Sequence, residues 1–228
     1  MVTSQILSIP PLENGDRLSR AEFERRYQAA PNIKKAELVE GVVYMASPLR
    51  IKSHGEPHGD LSGWLWNYKA ATPSVVLGIE PTVRLDPDNE PQPDAVLFIP
   101  GQQATISQED YIEGAPELIV EIAASSAAID LHDKKRAYRR NGVQEYIVWR
   151  TLEGQLDWFV LAEDEYVAQI PDDQGILRSQ IFPGLWLAVS ALLAGETAIV
   201  LSVLQQGLDS PEHQAFVASG NRLSHQAP

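Results

Sequence analysis

The chain has 228 residues, 44% of them hydrophobic and 21% charged, which is typical of a globular protein. It has no cysteine, which excludes disulfides and thiolate metal sites, and its most apolar C-terminal stretch, residues 185–194, is about half as long as a bilayer-spanning helix. The formal net charge of −13 opposes binding to nucleic acid and to anionic membranes. Since the N-terminus also lacks the basic region of a signal peptide, we expect a cytoplasmic protein without membrane contact.

The first half of the chain predicts a flexible arm followed by helices and short strands. Residues 1–18 are rich in proline and turn residues, as flexible segments often are. Ser19, with Glu22 three residues later, is a good N-cap for a helix that runs to Gln28. Alternating apolar residues on both sides of Glu40-Gly41 predict a hairpin over residues 37–45. The next predicted elements are a helix over 58–69 and strands over 75–79 and 82–85.

The second half predicts a strand–helix–strand unit. Residues 94–99 and 118–123 form apolar strands, and the second is apolar enough to be covered on both faces. A helix over 127–140 and a strand over 146–149 follow, which implies a right-handed crossover and a parallel strand pair. A hairpin over 156–170, a helix over 197–206 and a flexible tail at 220–228 complete the chain. We therefore expect one α/β domain of the α+β type over residues 19–219, with a mixed central sheet flanked by helices.

Two carboxylates occupy unusual positions in the predicted strands. Asp94 follows a proline at the mouth of one strand, and Glu121 lies between Val120 and Ile122 inside the other. Burying a carboxylate is costly without a compensating partner, so two acids brought together should bind a cation or share a proton. The alternatives are a structural ion pair for Glu121 and a turn for Asp94. Together the two acids favour a divalent-metal site.

The helix after Glu121 carries a dense basic patch in an otherwise acidic sequence. Lys134 lies four residues after Asp130, so the two share one helical face, either in a site or in solvent. Further cations follow on the same helix: Lys135, Arg136, Arg139 and Arg140. They are explained equally well as cations near a helix C-terminus and as a surface that contacts phosphates.

Other polar residues give weaker signals. His54 and His58 have the spacing of a zinc-binding pair on a helix, but Gly55 and Pro57 should interrupt a regular helix and no third ligand is evident. Structural or solvent-facing roles are therefore favoured for both histidines. Glu37, in the hairpin, could reach the catalytic edge of the sheet. The sequence contains no glycine-rich phosphate loop and no nucleophilic-serine motif.

Short motifs between residues 19 and 193 resemble, in order and spacing, the putative restriction-endonuclease family that is abundant in cyanobacteria and belongs to the PD-(D/E)xK nuclease superfamily. They are Glu37-Leu38-Val39-Glu40-Gly41, Ser53-His54-Gly55, Gln92-Pro93-Asp94, Pro116 to Ile122, Asp130 with Lys134 and Tyr138, Gly142 to Tyr146, and Phe182-Pro183-Gly184-Leu185. The resemblance implies a restriction-endonuclease-like core and a metal-dependent nuclease.

Residue by residue, the resemblance implies that Asp94 and Glu121 bind the metal, Mg²⁺ or Mn²⁺, with help from the backbone carbonyl of Ile122. The superfamily's usual lysine position holds Ala123 here, so the catalytic lysine is expected at Lys134 on the next helix. Glu37 and Asp130 are expected to be accessory site residues. Contacts to nucleic acid are expected from Lys135, Arg139 and Arg140.

These features predict a metal-dependent endonuclease that hydrolyses phosphodiester bonds in DNA. Two alternatives stay open. The net charge, Ala123 and Ala124 favour a catalytically inactive binding or scaffold protein that keeps the nuclease fold. A hydrolase of a small phosphorylated substrate would tolerate the acidic surface better. The sequence distinguishes neither DNA from RNA nor a monomer from a homodimer.

Overall fold

A six-stranded mixed sheet forms the centre of the computed structural model, which describes residues 9–46 and 48–224, with side chains as far as Gly220. In spatial order its strands are β11 (Glu165–Ala168), β10 (Gln155–Ala162), β9 (Glu145–Arg150), β8 (Leu118–Ala123), β5 (Ala95–Phe98) and β3 (Val76–Ile79). Strands β8 and β9 run parallel, and the other neighbouring pairs in this sheet run antiparallel. The predicted parallel pair and mixed sheet are therefore confirmed.

Three smaller sheets accompany the central sheet in the described part of the chain. They are β1 (Ala36–Val39) with β2 (Val42–Met45), β4 (Val83–Arg84) with β7 (Ile112–Gly114) and β6 (Ala104–Ile106), and β12 (Ile176–Arg178) with β13 (Trp186–Ala188). The first is the hairpin predicted from the alternating pattern. Its turn residues Glu40 and Gly41 both have positive φ, 52° and 71°, as a two-residue hairpin turn requires.

Helices cover the sheet, which confirms the predicted α+β class. They are α1 (Arg20–Gln28), α2 (Glu56–Ala71), α3 (Ala127–Ile129), α4 (Lys135–Arg140), α5 (Val189–Leu193), α6 (Thr197–Leu208) and α7 (Pro211–Ser224). None of the helices in the described residues has the length and apolarity needed to cross a membrane.

Two π-helical turns depart from the predicted helices. The turn Ile51–Gly55 leads into α2, and the turn Asp130–Lys134 joins α3 to α4. The chain is helical through both histidines, but a π-turn replaces regular α-helix up to Gly55, so the expected interruption is confirmed only in that form. Gly55 has helical φ and ψ, and the Ser53 carbonyl, which Pro57 has no N–H to reach, accepts a hydrogen bond from the Thr151 hydroxyl at 2.6 Å.

The alternation predicted for β8 is observed, and it places Glu121 among apolar residues. Leu118, Val120 and Ile122 belong to the core cluster that contains α2 and α6. Ile119 and Ala123 belong to the cluster on the opposite face. Glu121 projects to that second face, so the fold surrounds its carboxylate with protein rather than water.

The segments predicted as flexible arm and tail are partly described. Residues 1–8 and 225–228 lie outside the described residues. In the described part of the arm, Gly15 N–H donates to the Val43 carbonyl at 2.8 Å, Val43 N–H donates to the Asp16 carbonyl at 2.9 Å, and Leu12 is buried. The arm thus extends the β1–β2 hairpin. At the other end, α7 continues through Gly220 to Ser224.

Candidate catalytic and metal site

The register of the central sheet brings the two predicted metal-binding acids together. Ala95 pairs with Val120 between the antiparallel strands β5 and β8. One step along this register, Asp94, just before β5, lies across from Glu121. The two residues are 5% and 4% exposed, so both carboxylates lie inside the protein.

Asp94 is held by two groups from different elements. Its Oδ2 accepts a hydrogen bond from the Ile122 N–H at 2.7 Å, and its Oδ1 lies 3.2 Å from Nε2 of His54. Burial raises the pKa of Asp94, but His54 and the Ile122 N–H outweigh it, so the pKa lies below its ordinary value. This carboxyl group therefore stays ionised at neutral pH.

Glu121 has the opposite electrostatic setting. Its Oε1 accepts hydrogen bonds from Lys134 Nζ at 3.0 Å and from the Tyr138 hydroxyl at 2.8 Å. Burial raises the pKa of Glu121 well above its ordinary value; Lys134 opposes the shift, while Asp130 and Asp94 add to it. Within the described residues, Oε2 of Glu121 makes no hydrogen bond, which leaves this oxygen available to a ligand.

Lys134 lies at the centre of the acidic cluster and contacts three carboxylates. Its Nζ lies 3.0 Å from Oε2 of Glu37, 3.0 Å from Oε1 of Glu121 and 3.7 Å from Oδ1 of Asp130. Burial lowers the pKa of Lys134, but the surrounding carboxylates outweigh burial and raise it well above the ordinary value. These carboxylates therefore favour the ammonium form of Lys134.

The two predicted accessory acids lie in the same cluster. Oε2 of Glu37, on β1, also accepts a hydrogen bond from the Gln92 N–H at 3.1 Å. Oδ2 of Asp130 accepts one from the Ser126 hydroxyl at 2.6 Å, whereas its buried Oδ1 has no hydrogen-bond partner in the described residues. Burial raises the pKa of Asp130, although Lys134 opposes the shift. Glu37 on the hairpin and Asp130 on the π-turn thus contact the lysine from two elements.

The donor set fits a divalent cation. Three carboxylates, from Glu37, Glu121 and Asp130, surround one ammonium group, and Asp94 lies opposite Glu121 on the neighbouring strand. This excess of negative charge must be offset by bound protons or by a cation. The available carboxylate oxygens are the ligands that Mg²⁺ and Mn²⁺ prefer, and Oδ1 of Asp130 is a buried polar atom that still lacks a hydrogen bond.

A cavity of about 820 Å³ gives access to this cluster. Its wall contains predicted site residues from several elements: Glu37, Asp94, Glu121, Ile122 and Lys134. Lys35 and Arg50 add two cations to the lining, and Arg50 is exposed. The structure therefore brings the predicted catalytic, metal-binding and hairpin residues to one accessible surface.

His54 is the site residue that sequence reasoning missed. It is 8% exposed, lines the cavity and contacts Asp94, while Nε2 of His58 lies 3.1 Å from the Asp94 backbone carbonyl. His54, His58 and Asp94 each offer an atom to a group whose members lie within 4.8 Å of one another. The four-residue histidine spacing was the available signal, and the assumed break at Gly55 and Pro57 concealed it.

The predicted nucleic-acid contacts lie elsewhere, and carboxylates of the chain offset most of their charge. Arg139 lies 2.8 Å from a carboxylate oxygen of Glu165, and Arg140 lies 2.8 Å from one of Glu40. Lys135 Nζ lies 3.4 Å from the centre of the Phe159 ring. None of these three cations lines the cavity.

Comparison with known proteins gives a family and a fold. A family model described as "Uma2: Putative restriction endonuclease" matches residues 20–190. Among solved structures, the chain is similar to a putative nuclease belonging to DUF820 from Anabaena variabilis, with a TM-score of 0.55 and 12% sequence identity over 75% of this chain and 96% of that chain. At this identity the likeness shows a shared fold. No curated protein matches the chain.

Proposed function

The chain belongs to the Uma2 family of putative restriction endonucleases, and from this membership we propose that it is a metal-dependent endonuclease that hydrolyses phosphodiester bonds in DNA. One observation supports the proposal: Asp94, Glu121 and Lys134 all line one cavity, and Nζ of Lys134 lies 3.0 Å from Oε1 of Glu121. A purely structural ion pair would not require the surplus of buried carboxylates or the opening to solvent.

The proposed role of each site residue follows from its charge and from the atoms it contacts. Oδ1 of Asp94, Oε2 of Glu121 and the backbone carbonyl of Ile122 would hold Mg²⁺ or Mn²⁺. A bound divalent ion supplies a water molecule of lowered pKa and polarises the phosphate. As an ammonium ion beside Glu121, Lys134 would donate a hydrogen bond to the attacking water or to a phosphoryl oxygen and offset charge in the transition state. Glu37 and Asp130 fix its position.

A second candidate is a hydrolase of a small phosphorylated molecule. A cavity of about 820 Å³ is in the size range of small-molecule sites, and the net charge of −13 opposes a polyanion more than a small phosphate ester. Asp94, Glu121 and Lys134 would act in the same way on DNA and on a small phosphate ester, so activity assays with both substrates distinguish the two candidates.

Substitution of the metal-binding acids tests the proposal. Glu121→Gln and Asp94→Asn should each reduce Mg²⁺- or Mn²⁺-dependent DNA cleavage by roughly 10²-fold or more, because each removes a charged ligand. Each should also abolish the rise in melting temperature that the ion gives the wild type. Cleavage of supercoiled plasmid and of single-stranded DNA and RNA measures the first effect, and thermal denaturation measures the second.

Glu145→Gln is a matched control, because Glu145 is equally buried but binds Ser179 and the Gln180 N–H. It should retain cleavage per folded molecule. Metal binding without cleavage of any nucleic acid would contradict the nuclease proposal. Turnover of small phosphate esters would then favour the second candidate, and no turnover would favour the inactive scaffold.

Salt dependence tests which cations contact DNA. Arg50→Ala should reduce the slope of log affinity against log salt by up to about one unit, since each phosphate contact contributes about 0.9, whereas Lys35 already pairs with Glu80 at 3.4 Å. Arg139→Ala with Arg140→Ala should leave the slope near the wild-type value, because these guanidinium groups are paired with Glu165 and Glu40. Fluorescence anisotropy with a non-cleaved duplex in Ca²⁺ measures both slopes. The reverse pattern would assign the interface to the α4 patch predicted from sequence.

A further inference from the structure

We propose that His54 is a nitrogen ligand of the same ion that Asp94 holds, so that the centre prefers first-row transition-metal ions such as Mn²⁺ and Co²⁺ to Mg²⁺. The inference rests on the proposed metal-dependent function and adds a protein ligand to the proposed metal site. Imidazole nitrogen is a good ligand for transition metals and a poor one for Mg²⁺, which prefers oxygen and retains its water. A single histidine in the shell therefore changes which ion the protein selects.

The position of the His54 ring relative to Asp94 fits two ligands of one ion. Nε2 of His54 and Oδ1 of Asp94 are 3.2 Å apart. Two ligands that each lie about 2.1 Å from an ion and 3.2 Å from each other subtend an angle of about 100° at the ion. That angle lies between the octahedral and tetrahedral values.

The surroundings of His54 also leave the ring incompletely satisfied. The residue is 8% exposed, and its buried Nδ1 has no hydrogen-bond partner in the described residues. Buried polar atoms are normally paired, and those that lack a partner often mark a bound ion or water. An ion at Nε2 of His54 would contact Asp94 in the wall of the cavity that Glu121 also lines, while Nδ1 could donate to a bound water.

His58 has a different role, although it is part of the same group of potential ligands. Its Nε2 faces the backbone carbonyl of Asp94 at 3.1 Å, and the residue does not line the cavity. We assign it as a positioning residue that fixes the strand entry at Asp94. The π-turn Ile51–Gly55 precedes α2 and places His54, rather than His58, at the cavity wall. Single π-turns within helices frequently occur at functional sites.

The competing explanation is that His54 is only a charge partner of Asp94. An imidazolium at 3.2 Å would stabilise the carboxylate without any metal. This alternative predicts that His54 repels a cation rather than binding it. Metal affinity and the identity of the atoms around the ion therefore separate the two explanations, whether or not the protein cleaves anything.

The experiment uses the full chain after chelation, loaded with Mn²⁺. Pulsed electron paramagnetic resonance should detect coupling of the Mn²⁺ electron spin to a directly bound ¹⁴N in the wild type. His54→Ala should remove this coupling and weaken Mn²⁺ and Co²⁺ binding, measured by calorimetry, by about tenfold or more, with a smaller change for Mg²⁺. His58→Ala should keep the ¹⁴N coupling, and His132→Ala, at an exposed position outside the cavity, should match the wild type in every respect.

Several results would overturn the assignment of His54. They are the absence of ¹⁴N coupling in the metal-loaded wild type, its persistence in His54→Ala, or tighter Mn²⁺ binding by that variant. Circular dichroism of the metal-free variants establishes that they are folded before loading, and His54→Gln provides a second variant of similar size if alanine is not tolerated. Nuclease activity with unchanged Mn²⁺ binding in His54→Ala would refute this inference alone, whereas ¹⁴N coupling without any nuclease activity would refute only the proposed function.

Discussion

Lys134→Ala should reduce phosphodiester cleavage by roughly 10²–10³-fold, the range that follows loss of a single preorganised donor to a developing charge. Metal binding should be largely retained, because the lysine is not a ligand. The substitution should also destabilise the fold by about 3–5 kcal/mol at neutral pH, since it leaves the buried Glu121 and Asp130 and the half-buried Glu37 without their shared cation. Steady-state cleavage and denaturant-induced unfolding measure the two effects.

The adjacent lysine is the matched control for this prediction. Lys135 lies next to Lys134 on the same helix, but it packs against the Phe159 ring and does not line the cavity. Lys135→Ala should therefore lose only the cation–π contact, about 0.5–1 kcal/mol at an accessible site, and retain most of the activity. Equal losses of activity from both substitutions would mean that the helix acts as a general phosphate-binding patch and that Lys134 has no specific role.

Gly207→Ala should be among the most destabilising substitutions outside the site. Helix α6 crosses the turn at Gly184 so closely that a Cβ at Gly207 would overlap the Gly184 carbonyl oxygen and lie 2.9 Å from Cγ of Trp186. Backbone atoms cannot move aside cheaply, so we expect a loss of about 2–4 kcal/mol. For a chain of this length, that loss corresponds to a decrease in melting temperature of roughly 5–15 °C.

Gly63→Ala tests whether the effect comes from close packing rather than from the residue change itself. Gly63 lies inside α2, and a Cβ at this position would meet no atom within 4 Å. Alanine should there stabilise the protein by about 0.5–1 kcal/mol through its higher helix propensity. A similar decrease in stability for both variants would show that the contact between α6 and the turn is not responsible.

Much of the fold followed from short-range patterns in the sequence. The near-continuous apolar run of β8, with one acid inside it, predicted a central strand and its two faces, and the strand–helix–strand order predicted the parallel pair with β9. The family resemblance is confirmed by the match over residues 20–190. These features depend on local periodicity and on chain order, which a single sequence displays directly.

Other features depend on contacts that the sequence does not display. The helix through His54 and His58 was missed because a π-turn accommodates residues that usually interrupt a helix. The ion pairs of Arg139 and Arg140 were not foreseen, because Glu165 and Glu40 belong to strand turns distant in sequence. The sequence shows how many basic residues a helix carries, but not which carboxylates pair with them. Those pairs determine how much positive charge remains to bind a ligand.

The contact between Lys134 and Glu37 also has a consequence for how the chain folds. About 100 residues separate the two, so a long loop must close before the ammonium group meets this carboxylate. Contacts with such high sequence separation tend to form late in folding. We therefore expect this ion pair to form late in folding, after the local contact between Lys134 and Asp130. A chain whose β1–β2 hairpin has not yet docked would hold the lysine by Glu121 and Asp130 alone.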